Sequence, residues 1–251
     1  MITAYATKGA RLERLDLTAR HLGDAVWIDL DGPTEAEEDA VEAALGIDIP
    51  TREDMQEIEV SSRIYREGGT LFLTAQVVAS HDARETEIGP VTFVVLPDRL
   101  VTVHYHHPGS LTYFADWAAR HDTALEGGLD ALLGLLEAIV DRLADILEGE
   151  ARSHETLSRA IFAAHRPTGK TETLQAVLQR IGRAEAMNGK INESLATVLR
   201  LLTYLTATPE AVDGPCLQAR QLPVAQAQLQ DLRSLRAVAQ AHSEKVRFLL
   251  E

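Results

Sequence analysis

From Leu129 to the end of the chain, apolar residues recur every three or four positions and never alternate. Leu129, Leu132, Leu133, Leu136, Ile139, Val140, Leu143, Ile146 and Leu147 make one continuous stripe, extended by Leu157, Ile161 and Phe162. That spacing predicts a helix over about 129–165, roughly 55 Å long at 1.5 Å per residue. RPTGK (166–170) breaks it, and a second helix over about 171–206 carries Leu174, Val177, Leu178, Ile181, Leu195, Val198, Leu199, Leu202 and Leu205. After the loop TPEAVDGPC (208–216), a third run begins at Leu217 and holds one proline, Pro223, and no glycine. Leu232, Leu235, Ala239, His242, Val246 and Leu249 follow at alternating three- and four-residue steps, the coiled-coil rhythm. This helix has no closing glycine or asparagine and stops at Leu249-Leu250-Glu251, so it is expected to continue past the end of the given sequence.

The first half has a different pattern. Short apolar segments at 2–6, 11–17 and 25–32 read as strands, the first two around Lys8-Gly9. PTEAEEDAVEAALG (33–46) has acids in its first turn, Ala40, Val41, Ala44 and Leu45 as its stripe, and Gly46 as its stop, so it reads as a helix. A short helix follows at 49–59, with Thr51 as N-cap and Asp54 three residues on. Strands are predicted at 61–69 and 70–80 around Gly68-Gly69, and at 90–97 and 99–107 around Asp98. A helical segment at 110–121 completes the half. The fold class is therefore α/β, an α/β/α sandwich with a mixed sheet of about six strands followed by three long helices. The division falls at 1–125 and 126–251.

Composition narrows the function classes. A net charge of −14 from 24 basic and 38 acidic residues repels nucleic acid and anionic headgroups and attracts cations. Only 5% of residues are aromatic, too few for a base-stacking platform. No nucleic-acid partner is expected. The single cysteine, Cys216, excludes an internal disulfide framework. No signal-peptide pattern opens the chain, and no run reaches the ~20 apolar residues that span a bilayer, so the sequence as given reads as soluble.

Enzyme motifs are absent: there is no CxxC, HExxH, GxSxG or phosphate-binding glycine loop. His104 and His106 lie two apart on a predicted strand and therefore share a face. Two imidazoles can begin a zinc site, and His107 lies beside them, but a structural site takes four ligands and no full set is obvious nearby. A polar strand end is the preferred explanation of the pair, and a zinc enzyme built on it is one rival reading. Glu35, Glu37, Glu38, Asp39 and Glu42 complement the dipole of their own helix. Glu53 and Asp54 differ, because capping accounts for Asp54 and leaves Glu53 unexplained. Asp141 and Asp145 lie one turn apart on the long helix, either facing water or pairing with Arg142 and Arg152.

The order of segments is itself informative: WIDL, TEAEEDAVEAALGI, PTREDM, SSRIYREGGTLFLTAQVV, VTFVVLPDRLVTVHY, then LLEAIVDRLADILE (135–148). Over essentially its whole length the chain resembles the CorA family of divalent-cation channels and transporters. RIGRAEAMNGKINESLATVLRLLTYL (180–205) and DLRSLRAVAQAHSEKVRFLLE (231–251) are most similar to its ZntB branch. The resemblance implies a non-enzymatic cytosolic domain, on the cytoplasmic face of the bacterial inner membrane, of a homopentameric Mg²⁺, Co²⁺ or Zn²⁺ transporter. Its last helix would run into the first of two membrane segments, with Gly-Met-Asn between them. The divalent metal ion, Mg²⁺ or Zn²⁺, would be ligand and substrate, with no organic cofactor. Carried over by position, Glu53 and Asp54 match an acidic pair that binds regulatory cation together with an aspartate on a neighbouring subunit's pore helix. Asp231, the single acid between Ala219 and Gln240, is the available match for that aspartate. Ala237 and Val238 stand where relatives carry aspartate and histidine. Glu251 matches an acidic position at the pore mouth. The other rival is a helical protein-interaction scaffold with no transport role.

Overall fold

The structure is a computed structural model that describes all residues except 17–21, 58, 83–84, 124, 164–173, 209–212 and 249–251. Its first unit is a seven-stranded mixed sheet in the order β2-β1-β3-β7-β6-β5-β4. The strands are β1 (Ile2–Lys8), β2 (Arg11–Arg14), β3 (Trp27–Asp31), β4 (Ile64–Glu67), β5 (Thr70–Asp82), β6 (Glu85–Val95) and β7 (Leu100–His104). Only β3 and β7 run parallel, with Trp27 opposite Leu100, Asp29 opposite Thr102 and Asp31 opposite His104.

Strand alternation sorts the side chains into two cores. On one face Ile28, Leu30, Phe72, Val94, Val101 and Val103 pack with Val41 of α1 (Glu35–Leu45) and Met55 of α2 (Arg52–Gln56). On the other face Trp27, Leu71, Leu73, Phe93, Val95 and Leu100 join the helices α4 (Gly109–Ala118), α5 (Gly128–Ala163), α6 (Leu174–Ala207) and α7 (Leu222–Phe248). The layers are therefore helix, sheet, helix. The caps behave as their sequences dictate: the Thr34 amide donates to Glu37 Oε2 at 2.9 Å, and Gly46 closes α1 at φ 67°.

The sheet has seven strands where about six were expected, and two segments differ from expectation. Residues 61–63 are not strand but the end of a helical turn, α3 (Val60–Arg63), where the Ser62 amide donates to the Glu59 carbonyl at 3.2 Å. The β5–β6 hairpin is also longer than its apolar runs, reaching Asp82 and Glu85. The added residues pair through the backbone, Ser80 opposite Thr86 and Asp82 opposite Glu85, beyond the apolar runs that mark the two strands in sequence.

Along α7, Leu232, Ala239 and Val246 are buried and Leu235 and His242 half-buried, as the three-four rhythm predicts; Leu249 lies outside the described residues. Arg66 ties the loop before α7 to the sheet, donating to the carbonyls of Asp213 (3.1 Å) and Pro215 (2.7 Å). Among the described residues, no helix is long and apolar enough to cross a membrane.

Candidate cation site

Helix α2 is short, and its place is set by one buried side chain, Met55. Its start is a reciprocal cap. The Thr51 amide donates to Asp54 Oδ2 at 3.0 Å, and the Asp54 amide donates to Thr51 Oγ1 at 3.2 Å. Asp54 therefore spends one carboxylate oxygen on the helix. Glu53 is exposed beside it and takes no part in the cap. Arg52 lies over the Tyr105 ring, 5.1 Å from its centroid, and the Tyr105 hydroxyl donates to Glu38 at 2.8 Å. Burial, then that hydrogen bond and the Glu38 charge, push the hydroxyl's pKa up to about 12.

Asp231 is exposed on α7 and faces α5. There it joins two carboxylates of the long helix. Burial first, then the charges of Asp141 and Asp231, hold Glu137 above the usual carboxylate range. Burial, then Asp145 and Asp231, do the same for Asp141. Glu137 and Asp141 are easier to protonate because partial burial first, and then their negative neighbours, disfavour the ionised form, and the second of these is what a bound cation relieves.

The Glu53-Asp54 pair and Asp231 are not brought together within one chain. Met55 anchors α2 in the core on one face of the sheet, and α5 and α7 pack on the other. Among the described residues no three or more histidines, cysteines or acids are grouped so as to hold a metal ion. Glu251 lies outside the described residues. Glu137 escaped the reading of the sequence, although Glu137, Asp141 and Asp145 sit four residues apart, the spacing of one helical face.

The two histidines are not arranged as zinc ligands. His104 places Nε2 3.1 Å from Asp29 Oδ1 and Nδ1 against the His106 carbonyl. His106 points Nε2 at the Val77 carbonyl, 2.9 Å away. The strand ends at His104, and the rings stand 6.2 Å apart at 90°.

Comparison with known proteins adds an independent line. The family model described as CorA-like Mg²⁺ transporter protein matches residues 23–251. The magnesium transport protein CorA of Haemophilus ducreyi is 27% identical over 252 residues, all of this chain and 77% of that protein. That of Escherichia coli is 27% identical over 257 residues, with the same coverage. Among solved structures, the CorA magnesium transporter of Methanocaldococcus jannaschii superposes with a TM-score of 0.80 at 15% identity, over 100% of this chain and 75% of that one. The ZntB cytoplasmic domain of Vibrio parahaemolyticus superposes with a TM-score of 0.70 at 8% identity, over 99% and 94%. At these identities the structural likeness is one of fold.

Proposed function

The chain belongs to the family of CorA-like Mg²⁺ transporter proteins, and from that premise we propose that it is the cytosolic, cation-sensing part of a homopentameric divalent-cation transporter. In this reading residues 1–125 form the sensing α/β/α unit. Residues 126–251 form the funnel and the stalk of the pore helix, with Glu251 at the pore's cytosolic mouth. The protein does no covalent chemistry, and the divalent ion is its regulator and cargo.

One observation carries the sensing claim. Asp231, Glu137 and Asp141 form an acidic face in which partial burial and then neighbouring negative charge oppose the ionisation of Glu137 and Asp141, while Glu53 and Asp54 are exposed on the other side of the sheet. Two such faces meet only between subunits, and there they repel unless a hard cation with oxygen ligands lies between them. Cation binding then favours one packing of subunits over another by its differential affinity for the two.

The test is subunit association of the protein, measured by sedimentation in Mg²⁺ and in EDTA. Because Asp54 also caps α2, the informative variants keep the cap: Glu53→Gln, Asp54→Asn and Asp231→Asn. The expected result is Mg²⁺-dependent assembly that all three variants weaken. Association indifferent to Mg²⁺ would sink the sensing claim. Tyr113 and Trp117, 54% and 37% exposed on α4, favour a second reading as a protein-interaction scaffold. Absence of cation flux by the full gene product, with assembly dependent on another protein, would support that reading instead.

A further inference from the structure

The parallel seam between β3 and β7 joins the two halves of the sheet, β2-β1-β3 and β7-β6-β5-β4. On the α4–α5 face of that seam a row of polar side chains replaces the usual apolar ones. Their hydrogen bonds follow from which groups can only donate and which can only accept. The Trp27 indole N–H is a donor only, so it donates to Thr102 Oγ1 at 3.0 Å. The Thr102 hydroxyl then has its own hydrogen for Asp29 Oδ1. The same carboxylate oxygen faces His104 Nε2, and His104 Nδ1 faces the His106 carbonyl, an oxygen that can only accept. Both ring nitrogens of His104 therefore sit against acceptors, in a side chain only 4% exposed. A neutral imidazole satisfies one of them and sets a lone pair against oxygen at the other. The imidazolium satisfies both.

We propose that His104 is a buried imidazolium that latches β3 to β7 and makes the domain proton-sensitive, tight at lower pH and loosened as pH rises. The surrounding charges agree. Burial works against the charged ring. The Asp29 hydrogen bond and charge, the His106 carbonyl and Asp31 outweigh it and leave His104 above its ordinary value. Asp31 Oδ1 lies 3.6 Å from Nδ1, and its other oxygen is 3.1 Å from His107 Nδ1. Asp116 of α4 and Arg14 of β2 line the cavity beside Asp29, and Glu87 of β6 acts on His106. His106 is displaced the opposite way, by burial first and by the His104 charge among the rest, and it donates from Nε2 as a neutral ring.

The sign follows from linkage. A histidine whose folded value is raised contributes its full stabilisation below the unfolded value of about 6.5. That contribution is lost as pH rises through the folded value. His106, lowered in the fold, contributes an opposite slope below about 6.5, so the two are separated by comparing variants.

Two measurements on the 251-residue chain test the latch, and neither involves a metal, so they stand apart from the cation reading. Nitrogen-detected NMR of the unaltered protein near neutral pH should find protons on both ring nitrogens of His104 and on one of His106. Urea unfolding across pH should show the unfolding constant rising, relative to His104→Gln, by up to about tenfold per pH unit above about 6.5 and then levelling. His121→Gln, whose ring lies outside on Trp117, should keep the unaltered profile. A single ring proton on His104 at neutral pH, or a flat difference profile, overturns the proposal. The NMR result decides even if His104→Gln does not fold.

Discussion

Glycine 128, the first residue of α5, illustrates how one position can reverse a general rule. Replacing glycine with alanine inside a helix ordinarily gains up to ~1 kcal/mol. Here an added Cβ would stand 2.1 Å from the Arg99 carbonyl oxygen and 2.4 Å from that of Leu96, both backbone atoms of the β6–β7 turn. Gly128→Ala should therefore destabilise the chain by about 3 kcal/mol or more, read by urea unfolding. A neutral or stabilising result would mean that α5 does not approach the turn so closely. At this scale the sequence was legible wherever partners are close along the chain. The Thr51–Asp54 cap spans three residues, and its pattern is local. The bonds of His104 were not legible, because Asp29 lies 75 residues away and meets it only through the parallel register of β3 and β7. A pair of histidines two apart looked like the beginning of a metal site for that reason.

Among the elements, the long helices were the most readable, since their stripes persist over many turns. What holds them in register is harder to see. Asp130 at the start of α5 accepts from Arg220 at 2.9 and 2.8 Å, from the Gln221 side chain at 2.6 Å and from the Glu126 amide at 3.1 Å. This one carboxylate, 11% exposed, fixes the beginning of α7 against α5. Asp130→Ala should cost about 2 kcal/mol in urea unfolding, most of it from donors left unpaired. A loss under a few tenths would assign the helix pairing to apolar packing alone. Further along, Asn188 of α6 donates to the Ala239 carbonyl of α7 at 3.2 Å and to the Ser243 hydroxyl, a buried polar cluster in a largely apolar seam. Asn188→Leu should leave or raise stability while loosening the α6–α7 register, which amide exchange along α7 would reveal as faster opening. The misread segment at 61–63 has the opposite character. Ser61 and Ser62 offer no stripe of either period, and the turn is fixed by Arg63 donating to the Glu57 carbonyl at 2.7 Å.

In the whole molecule, a sheet separates the two acidic faces, and the net charge of −14 makes their approach in a second copy unfavourable without cations. The α/β/α layering and the helical unit were foreseen from pattern, and the resemblance supplied the family, which the match over residues 23–251 established. The acidic face on α5 and α7 was only half visible: Asp231 was singled out, but its approach to Glu137 and Asp141 depends on how two helices ninety residues apart pack. Removing part of that repulsion should be measurable. Asp141→Asn should raise the thermal midpoint of the cation-free protein modestly and shrink the further rise that Mg²⁺ produces. An unchanged Mg²⁺ response would remove Asp141 from the site. The most direct test of the account is Mg²⁺ uptake by the full gene product in vesicles, with free Mg²⁺ varied on the side that carries this domain. The account predicts uptake that falls as Mg²⁺ on that side rises, and a Glu53→Gln, Asp54→Asn, Asp231→Asn protein whose uptake stays high. Uptake by the unaltered protein that ignores Mg²⁺ on that side, or no uptake at all, would contradict it.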